Sequence, residues 1–208
     1  MSIQASLWRG RVRPTLASGS ATRRLLLESA GIPVDVEAPH VDERGLEDAF
    51  LTGGGAPSAV AVELARAKAL AVSERRPGVY CFGADQTLLF EGRLAHKAAN
   101  IEEAAQNLRR LSGRTHELIA GVCVVRDGFA AFTASQRARL TMRALDEGAV
   151  RRYLEAASPG VLSSVGAYQI EGLGIHLFET IEGDHSTILG LPLMPLLQWL
   201  RGQGLLAL

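Results

Sequence analysis

Cysteine is scarce in this chain: Cys81 and Cys123 stand alone, each inside an apolar run that reads as a strand. Two thiols without further ligand spacing make neither a zinc motif nor a disulfide framework, so both are expected buried and reduced. Long apolar runs are missing as well. No stretch of about twenty apolar residues could span a bilayer. The opening MSIQASLWRGRVRP holds no apolar segment long enough for a signal peptide, so a cytoplasmic location without a membrane partner is the expectation. Net charge is lacking too. The 22 Lys+Arg balance 22 Asp+Glu, which argues against a protein whose main work is coating nucleic acid. A single pocket can still be strongly positive inside a neutral protein. There is no G-x-S-x-G elbow for a Ser-His-Asp hydrolase and no Walker motif. His40, His96, His116, His176 and His185 show no ligand spacing and read as structural or exposed.

What the chain does have is apolar content: 47% of its 208 residues, enough to bury a substantial core. Thr15 to Ser18 reads as a first strand, and a helix through Leu25–Leu27 should end at Gly31 in the C′ position. Val34-Asp35-Val36-Glu37 alternates like a half-buried strand. Thr52–Gly55 is a loop, and Pro57 suits the first turn of a helix through Val60, Leu64, Lys68 and Ala71. Val79 to Phe82 reads as a buried strand ending at Gly83-Ala84-Asp85. Asn100 followed by Glu103 is an N-cap with its capping-box partner, so 101–111 should be helical. Leu118–Val125 and Phe129–Met142 flank Asp127-Gly128, a strong hairpin signal. Helices are expected from about Glu147 to Ala156 and from Leu193 to Leu200. Strands and helices alternate around one long hairpin, which predicts an α/β fold with a mixed central sheet. No internal repeat or linker composition appears, so the chain is read as a single domain, 1–208, with 1–13 as an N-terminal extension.

Three segments carry candidate chemistry. In Ser18-Gly19-Ser20-Ala21-Thr22-Arg23-Arg24, between a strand and a helix, backbone N–H groups, the Ser18 and Ser20 hydroxyls and the Arg23 guanidinium could cradle phosphate. Ordinary N-capping by Ser20, with solvated arginines behind it, explains the same residues. His40-Val41-Asp42-Glu43, at the end of a predicted strand, could hold Mg²⁺ through a carboxylate, or be a solvated acidic turn. Asp85 projects from the carboxyl end of a buried strand, where α/β sheets bind ligands, and a carboxylate beside a core needs a cation or donors as partners. Lys68, set among Ala65, Ala67, Ala69 and Leu70, and Lys97, in the loop before Asn100, supply positive charge. Each alone could be a surface lysine. Together with Arg23, Glu43 and Asp85 they are the parts of a phosphoryl-transfer site.

These pieces match a known family in order and spacing. LASGSATRR, VDE, ELARAKA, FGADQ, the Lys97 loop, LSGRTH, and GAYQIEGLG running into GLPL span residues 16 to 193. The chain resembles the Maf proteins, nucleotide pyrophosphatases related in fold to inosine triphosphate pyrophosphatase. That resemblance implies two lobes around a cleft, a homodimer, and hydrolysis between the α and β phosphates to a nucleoside monophosphate and pyrophosphate. It implies that Asp85 is the catalytic carboxylate and a metal contact and that Glu43 is a metal ligand or holds a metal-bound water. The implied cofactor is a divalent cation, Mg²⁺ or Mn²⁺. Ser18, Ser20, Arg23, Lys68 and Lys97 would bind phosphate.

The departures from the family pattern concern the base. The usual S-x-S-P-R-R has lost its proline and first arginine, here Ala21 and Thr22, and a Lys-Pro has become Lys97-Ala98. Gln86 and Glu171 resemble the branch acting on 7-methyl-GTP, where the dTTP/UTP branch carries Thr and Gln. A carboxylate at Glu171 can accept from guanine N1–H and N2–H₂ together. The 7-methyl-GTP branch resembles a sequence with Trp at the position of Thr22. Thr22, Gln86 and Glu171 are therefore the base-specificity candidates, and a purine-type or broad substrate is expected. The competing expectation is a nucleotide-binding regulator of septum formation without significant turnover.

Overall fold

In the computed structural model, Asp127 and Gly128 both have positive φ, 51° and 80°, as a two-residue type I′ hairpin turn requires. They join β5 (Thr115–Arg126) to β6 (Phe129–Met142), the hairpin expected from their sequence. The structure describes residues 6–157 and 160–208. Two elements of the sequence reading match to the residue or nearly so. Asn100 caps α4 (Ile101–Leu111) by accepting from the Glu103 N–H at 2.9 Å. Glu103 answers by accepting from the Ala99 N–H at 2.8 Å. At the other end of the chain, α1 (Ala21–Ser29) closes at Gly31, φ 75°.

Contacts divide the chain into two compact units. The first holds the residues up to Gln86, 119–136 and 184–208; the second holds 87–118 and 137–183. Strands β3 (Cys81–Phe90), β5 and β6 contribute to both. Hydrogen bonding gives the strand order β2-β1-β3-β5-β6-β7, with β4 paired to β3. Here β1 is Thr15–Ala17, β2 Asp35–Val36, β4 Arg93–Ala95 and β7 Phe178–Glu182. β1 pairs in parallel with β2 and β3, whereas β4 and β7 pair antiparallel. The sheet is therefore mixed, as the alternation of elements suggested.

In the first unit the period-two alternation of side chains sorts residues between two layers. Leu16, Phe82, Ala84, Val122 and Val124 cluster with Leu27 of α1 and with Leu196 and Leu200 of α7 (Leu193–Gly202). Their neighbours in sequence turn the other way. Ala17 and Cys81 pack with Val72, and Cys123 and Val125 with Ala65 and Ala69, all three partners on α3 (Val60–Ser73). Both cysteines are buried and free, and burial pushes each thiol up to about 11. α3 lies unusually close to the strands. A Cβ on Gly83 would stand 1.9 Å from the Ala65 carbonyl oxygen, and one on Gly121 2.5 Å from the Ala61 carbonyl carbon.

Residues 6–13 of the expected N-terminal extension are part of this packing. Trp8 bridges to Leu206 and lies edge-on to Tyr80 and Phe82; residues 1–5 lie outside the described residues. In the second unit α4 buries Ala104, Ala105, Leu108 and Leu111, and α5 (Glu147–Ala157) buries Val150, Tyr153 and Leu154. Among the described residues no helix is long and apolar enough to cross a membrane.

Two expectations are corrected. Glu43 does not end a strand: it opens a helix, α2 (Glu43–Thr52), whose N-cap is Asp42. The Asp42 carboxylate accepts from the Gly45 N–H at 3.0 Å, so the acidic pair is a helix start. Asp85 does not follow the end of a strand either. β3 runs on to Phe90, so Asp85 lies within it. The strand tolerates a carboxylate there because its partner comes from another element.

Candidate active site

That partner is Lys68. Asp85 has the same strand parity as Cys81 and Gly83, so its side chain turns toward α3, and the bare backbone of Gly83 lets α3 approach. The Lys68 Nζ donates to Asp85 Oδ1 at 2.5 Å and pairs with Glu43 Oε1 at 2.8 Å. Lys68 is 5% exposed and Asp85 8%, whereas the Glu43 side chain is 53% exposed. One buried cation thus holds two carboxylates from separate elements, α2 and β3. Losing either carboxylate leaves the lysine with the other. Losing the lysine leaves Asp85 without its charge partner, which is the costly direction for a buried ion.

The turn after β1 stands beside this group because β1 and β3 are parallel, with Ala17 opposite Gly83. Ser18 is buried, and its Oγ accepts from the Ser20 N–H at 3.3 Å. Ser20 is the N-cap of α1, accepting from the Arg23 N–H at 3.3 Å. The capping explanation of Ser20 therefore holds, and the hydroxyl of Ser18 is the one aimed inward. A Cβ on Gly19 would meet nothing within 4 Å, so the backbone between the two serines is open to a ligand at a helix start.

Arg23 does not lie in solvent. Its Nε donates to the Gly190 carbonyl at 2.8 Å, and its Nη1 to the Ala84 carbonyl at 2.8 Å and to Ser18 Oγ at 3.1 Å. Burial pulls the guanidinium below its ordinary value, while the negative charges of Asp85 and Glu43 act to raise it. It remains a cation throughout the working pH range. These three hydrogen bonds brace the protein, and Nη2 takes part in none of them. Thr22, in the first turn of α1, is half-buried.

Gln86 behaves differently from its neighbour. It turns to the other side of β3, and its Nε2 donates to the Thr187 carbonyl at 3.0 Å and the Ile188 carbonyl at 2.9 Å in α6 (His185–Ile188). Both amide hydrogens are consumed by main-chain oxygens, so Oε1 can only accept. Gln86 also ties down α6, whose Thr187 hydroxyl donates to Gln136 Oε1 at 3.0 Å.

The structure thus brings together Ser18, Ser20, Arg23, Glu43, Lys68 and Asp85 in the first unit. Lys97 and Glu171 belong to the second. Lys97 is exposed in the loop between β4 and α4, and Glu171 is exposed in a turn. Among the described residues no group of three or more His, Cys, Asp or Glu side chains could hold a metal by themselves. Glu43 and Asp85 nevertheless each place a carboxylate oxygen within 2.8 Å of one nitrogen, Lys68 Nζ. Two convergent hard oxygen donors suit Mg²⁺ or Mn²⁺, which take further ligands from water and from a substrate's phosphates.

Sequence reasoning read His116 as structural or exposed and did not find its partner. It is buried in the second unit, and its Nε2 lies 2.6 Å from the Tyr168 hydroxyl. The signal was there only in a weak form: a histidine in a strand start and a tyrosine 52 positions later share no local spacing.

Comparison with known proteins finds similarity along nearly the whole chain. A family model described as Maf-like protein matches residues 13–203. The chain is 53% identical over 204 residues to a protein of Nitrobacter winogradskyi named nucleoside triphosphate pyrophosphatase, covering 98% of this chain and all of that one. A Rhodopseudomonas palustris protein of the same name is 48% identical, with 97% and 99% covered. A Mesorhizobium japonicum protein named 7-methyl-GTP pyrophosphatase is 50% identical, with 91% and 95% covered.

Proposed function

The chain belongs to the Maf-like family, and from that premise we propose that it is a nucleoside triphosphate pyrophosphatase whose chemistry centres on Asp85. The observation that carries the assignment of residues is the convergence of Asp85 and Glu43 on the buried Lys68 beside an open phosphate cradle. A water oxygen attacks the α-phosphorus, and the bond from that phosphorus to the α–β bridging oxygen breaks. The products are a nucleoside monophosphate and pyrophosphate. Asp85 accepts the proton that the water gives up. Lys68 orients it through Oδ1, which leaves Oδ2 for the water. Lys68 also supplies positive charge where the phosphoryl oxygens gain negative charge.

Ser18, the Gly19-Ser20 main chain and Arg23 Nη2 hold the phosphates, and Lys97 adds a further cation. Glu43 and Asp85 would hold the divalent cation, which when bound neutralises phosphate charge. The base is read as purine-type, such as 7-methyl-guanine, or broad. Glu171 accepts from guanine donors, Gln86 contributes an acceptor fixed by α6, and Thr22 leaves more room than an aromatic side chain would.

The test is product analysis. Purified protein with Mg²⁺ or Mn²⁺ is expected to release pyrophosphate, not orthophosphate, from a panel of 7-methyl-GTP, GTP, dTTP and UTP. Asp85→Asn should lower that rate by about 10³-fold or more and keep its fold, because Lys68 retains Glu43 and an amide oxygen. Normal turnover by Asp85→Asn would sink the assignment. Tight nucleotide binding without turnover under either metal would favour the regulator instead. Clear preference for dTTP and UTP would overturn the reading of Gln86 and Glu171.

A further inference from the structure

The second unit contains a buried polar pair that the reaction described above does not use. His116, 2% exposed, sits at the start of β5, and its Nε2 is 2.6 Å from the hydroxyl of Tyr168, 4% exposed. Phe178 closes the group: its ring centroid lies 5.9 Å from that of His116 and 4.8 Å from that of Tyr168, edge-on at 75°. The other imidazole nitrogen, Nδ1, is buried with no hydrogen-bond partner among the described residues. Burial pushes the ring down to about 4, so it is neutral near pH 7. A neutral imidazole has one N–H and one bare nitrogen. Whichever tautomer forms, Nδ1 is an unmet donor or an unmet acceptor.

This is a poor device for stability. Replacing both partners of a buried hydrogen bond by apolar groups of similar shape is often neutral, and here it would also remove the orphan nitrogen. The pair must therefore serve position. What it positions is visible on either side of Tyr168. Ala167, fully buried, has φ 56°, a left-handed conformation that costs a residue with a Cβ about 1 kcal/mol. Immediately after Tyr168, the Gln169 carbonyl accepts from both the Gly172 and the Gly174 N–H groups, at 3.2 and 3.0 Å. The Gln169 main chain is also hydrogen-bonded to the Tyr153 hydroxyl. The backbone from 167 to 174 is thus strained at one residue and held by hydrogen bonds at Gln169, with Glu171 exposed in the turn. Backbone strain of this kind persists only where surrounding structure enforces it, and such places cluster at ligand contacts.

We infer that His116 is a positioning residue for base recognition, holding Tyr168 and through it the turn that presents the Glu171 carboxylate. This rests on the reading of Glu171 as a base contact. His116 acts through Tyr168. It sets the direction from which Glu171 meets the base, and a misplacement of about 1 Å is enough to lose a paired hydrogen bond.

The experiment compares binding of 7-methyl-GMP and UMP, measured by calorimetry, in five proteins: wild type, Glu171→Gln, His116→Phe, His116→Phe/Tyr168→Phe and His116→Gln. Monophosphates are used so that the result does not depend on turnover. The double variant restores an apolar fit and is expected to unfold within a few degrees of wild type. Its preference between the two nucleotides should fall about 10-fold or more, approaching that of Glu171→Gln. His116→Gln can place an amide near the position of Nε2 and should recover most of the preference. Preference unchanged in the double variant but lost in Glu171→Gln overturns the positioning role and leaves the base contact standing. Equal weakening of both nucleotides in the double variant also overturns it, because that is the behaviour of a structural pair. Preference unchanged in Glu171→Gln removes the base contact and the inference together.

Discussion

Lys68 and His116 are both buried basic side chains, one in each unit, and they solve burial in opposite ways. Lys68 keeps its charge and is given two carboxylates, Asp85 and Glu43. His116 gives up its charge and, among the described residues, has one neutral hydrogen-bond partner and an unmet Nδ1. A charged cluster can exchange partners when an anionic ligand or a cation arrives, since each member has somewhere else to turn. A neutral, ring-packed pair cannot, and so it fixes geometry. The difference separates a cluster able to trade partners from one that fixes geometry.

The largest effect that would break this contrast is at Lys68. Lys68→Met leaves Asp85 and Glu43 facing each other without the cation, and should cost about 3–5 kcal/mol in urea unfolding. Added Mg²⁺ should recover part of that loss if the two carboxylates bind it. A loss below about 1 kcal/mol would mean that the cluster is not electrostatically strained without its lysine.

The second effect is in pH. His116 titrates near 6.5 in the unfolded chain and at about 4 when folded. Between those values the unfolded chain binds more protons, so acidification drains stability. The stability contributed by the neutral ring is fully present above pH 6.5 and is lost as pH falls toward 4. Between pH 7 and pH 4 wild type should lose about 3 kcal/mol more than His116→Phe. Parallel pH profiles for the two proteins would show that the ring is not held neutral by the fold.

The smallest effect sharpens the comparison, because it lies in the second unit but away from the ring group. Asn100→Ala removes the cap of α4 and should cost about 1 kcal/mol. Since Lys97 lies just ahead of that cap, KM for the triphosphate should rise while kcat changes little. Chemical denaturation and steady-state kinetics on one preparation read both.

Local chemistry was legible where a signal and its structure lie within a few residues. Asn100 with Glu103, Asp127-Gly128 and Gly31 each announced an element end, and each element formed there. Lys68 could be singled out because a lysine is unusual among small apolar neighbours, whereas Glu43 and Lys97 each read alone as surface residues. Features made by pairing at a distance stayed hidden. α2 was missed although Leu46, Ala49 and Phe50 fall at helical spacing, because its N-cap, Asp42, sits in what read as an acidic turn. β3 read as ending before Asp85 because a carboxylate normally stops a buried strand. The cation that lets the strand continue comes from α3, 17 positions earlier. Gln86 could be singled out, but its bonds to main-chain carbonyls 101 and 102 positions away could not.

The close approach of α3 has a practical consequence for anyone trying to harden this protein. Exchanging glycine for alanine inside regular structure is a common stabilising step, since it restricts the unfolded chain. At Gly83 and Gly121 the same step would act as a wedge, with a methyl group driven against α3 backbone at 1.9 and 2.5 Å. The helix would have to lift, and Lys68 would lift with it. Gly202, where an added methyl meets nothing within 4 Å and φ is not positive, is the safer place to begin. Thermostable variants drawn from random libraries should therefore carry alanine at 202 far more often than at 83 or 121, and any that carry it at 83 should be slow enzymes.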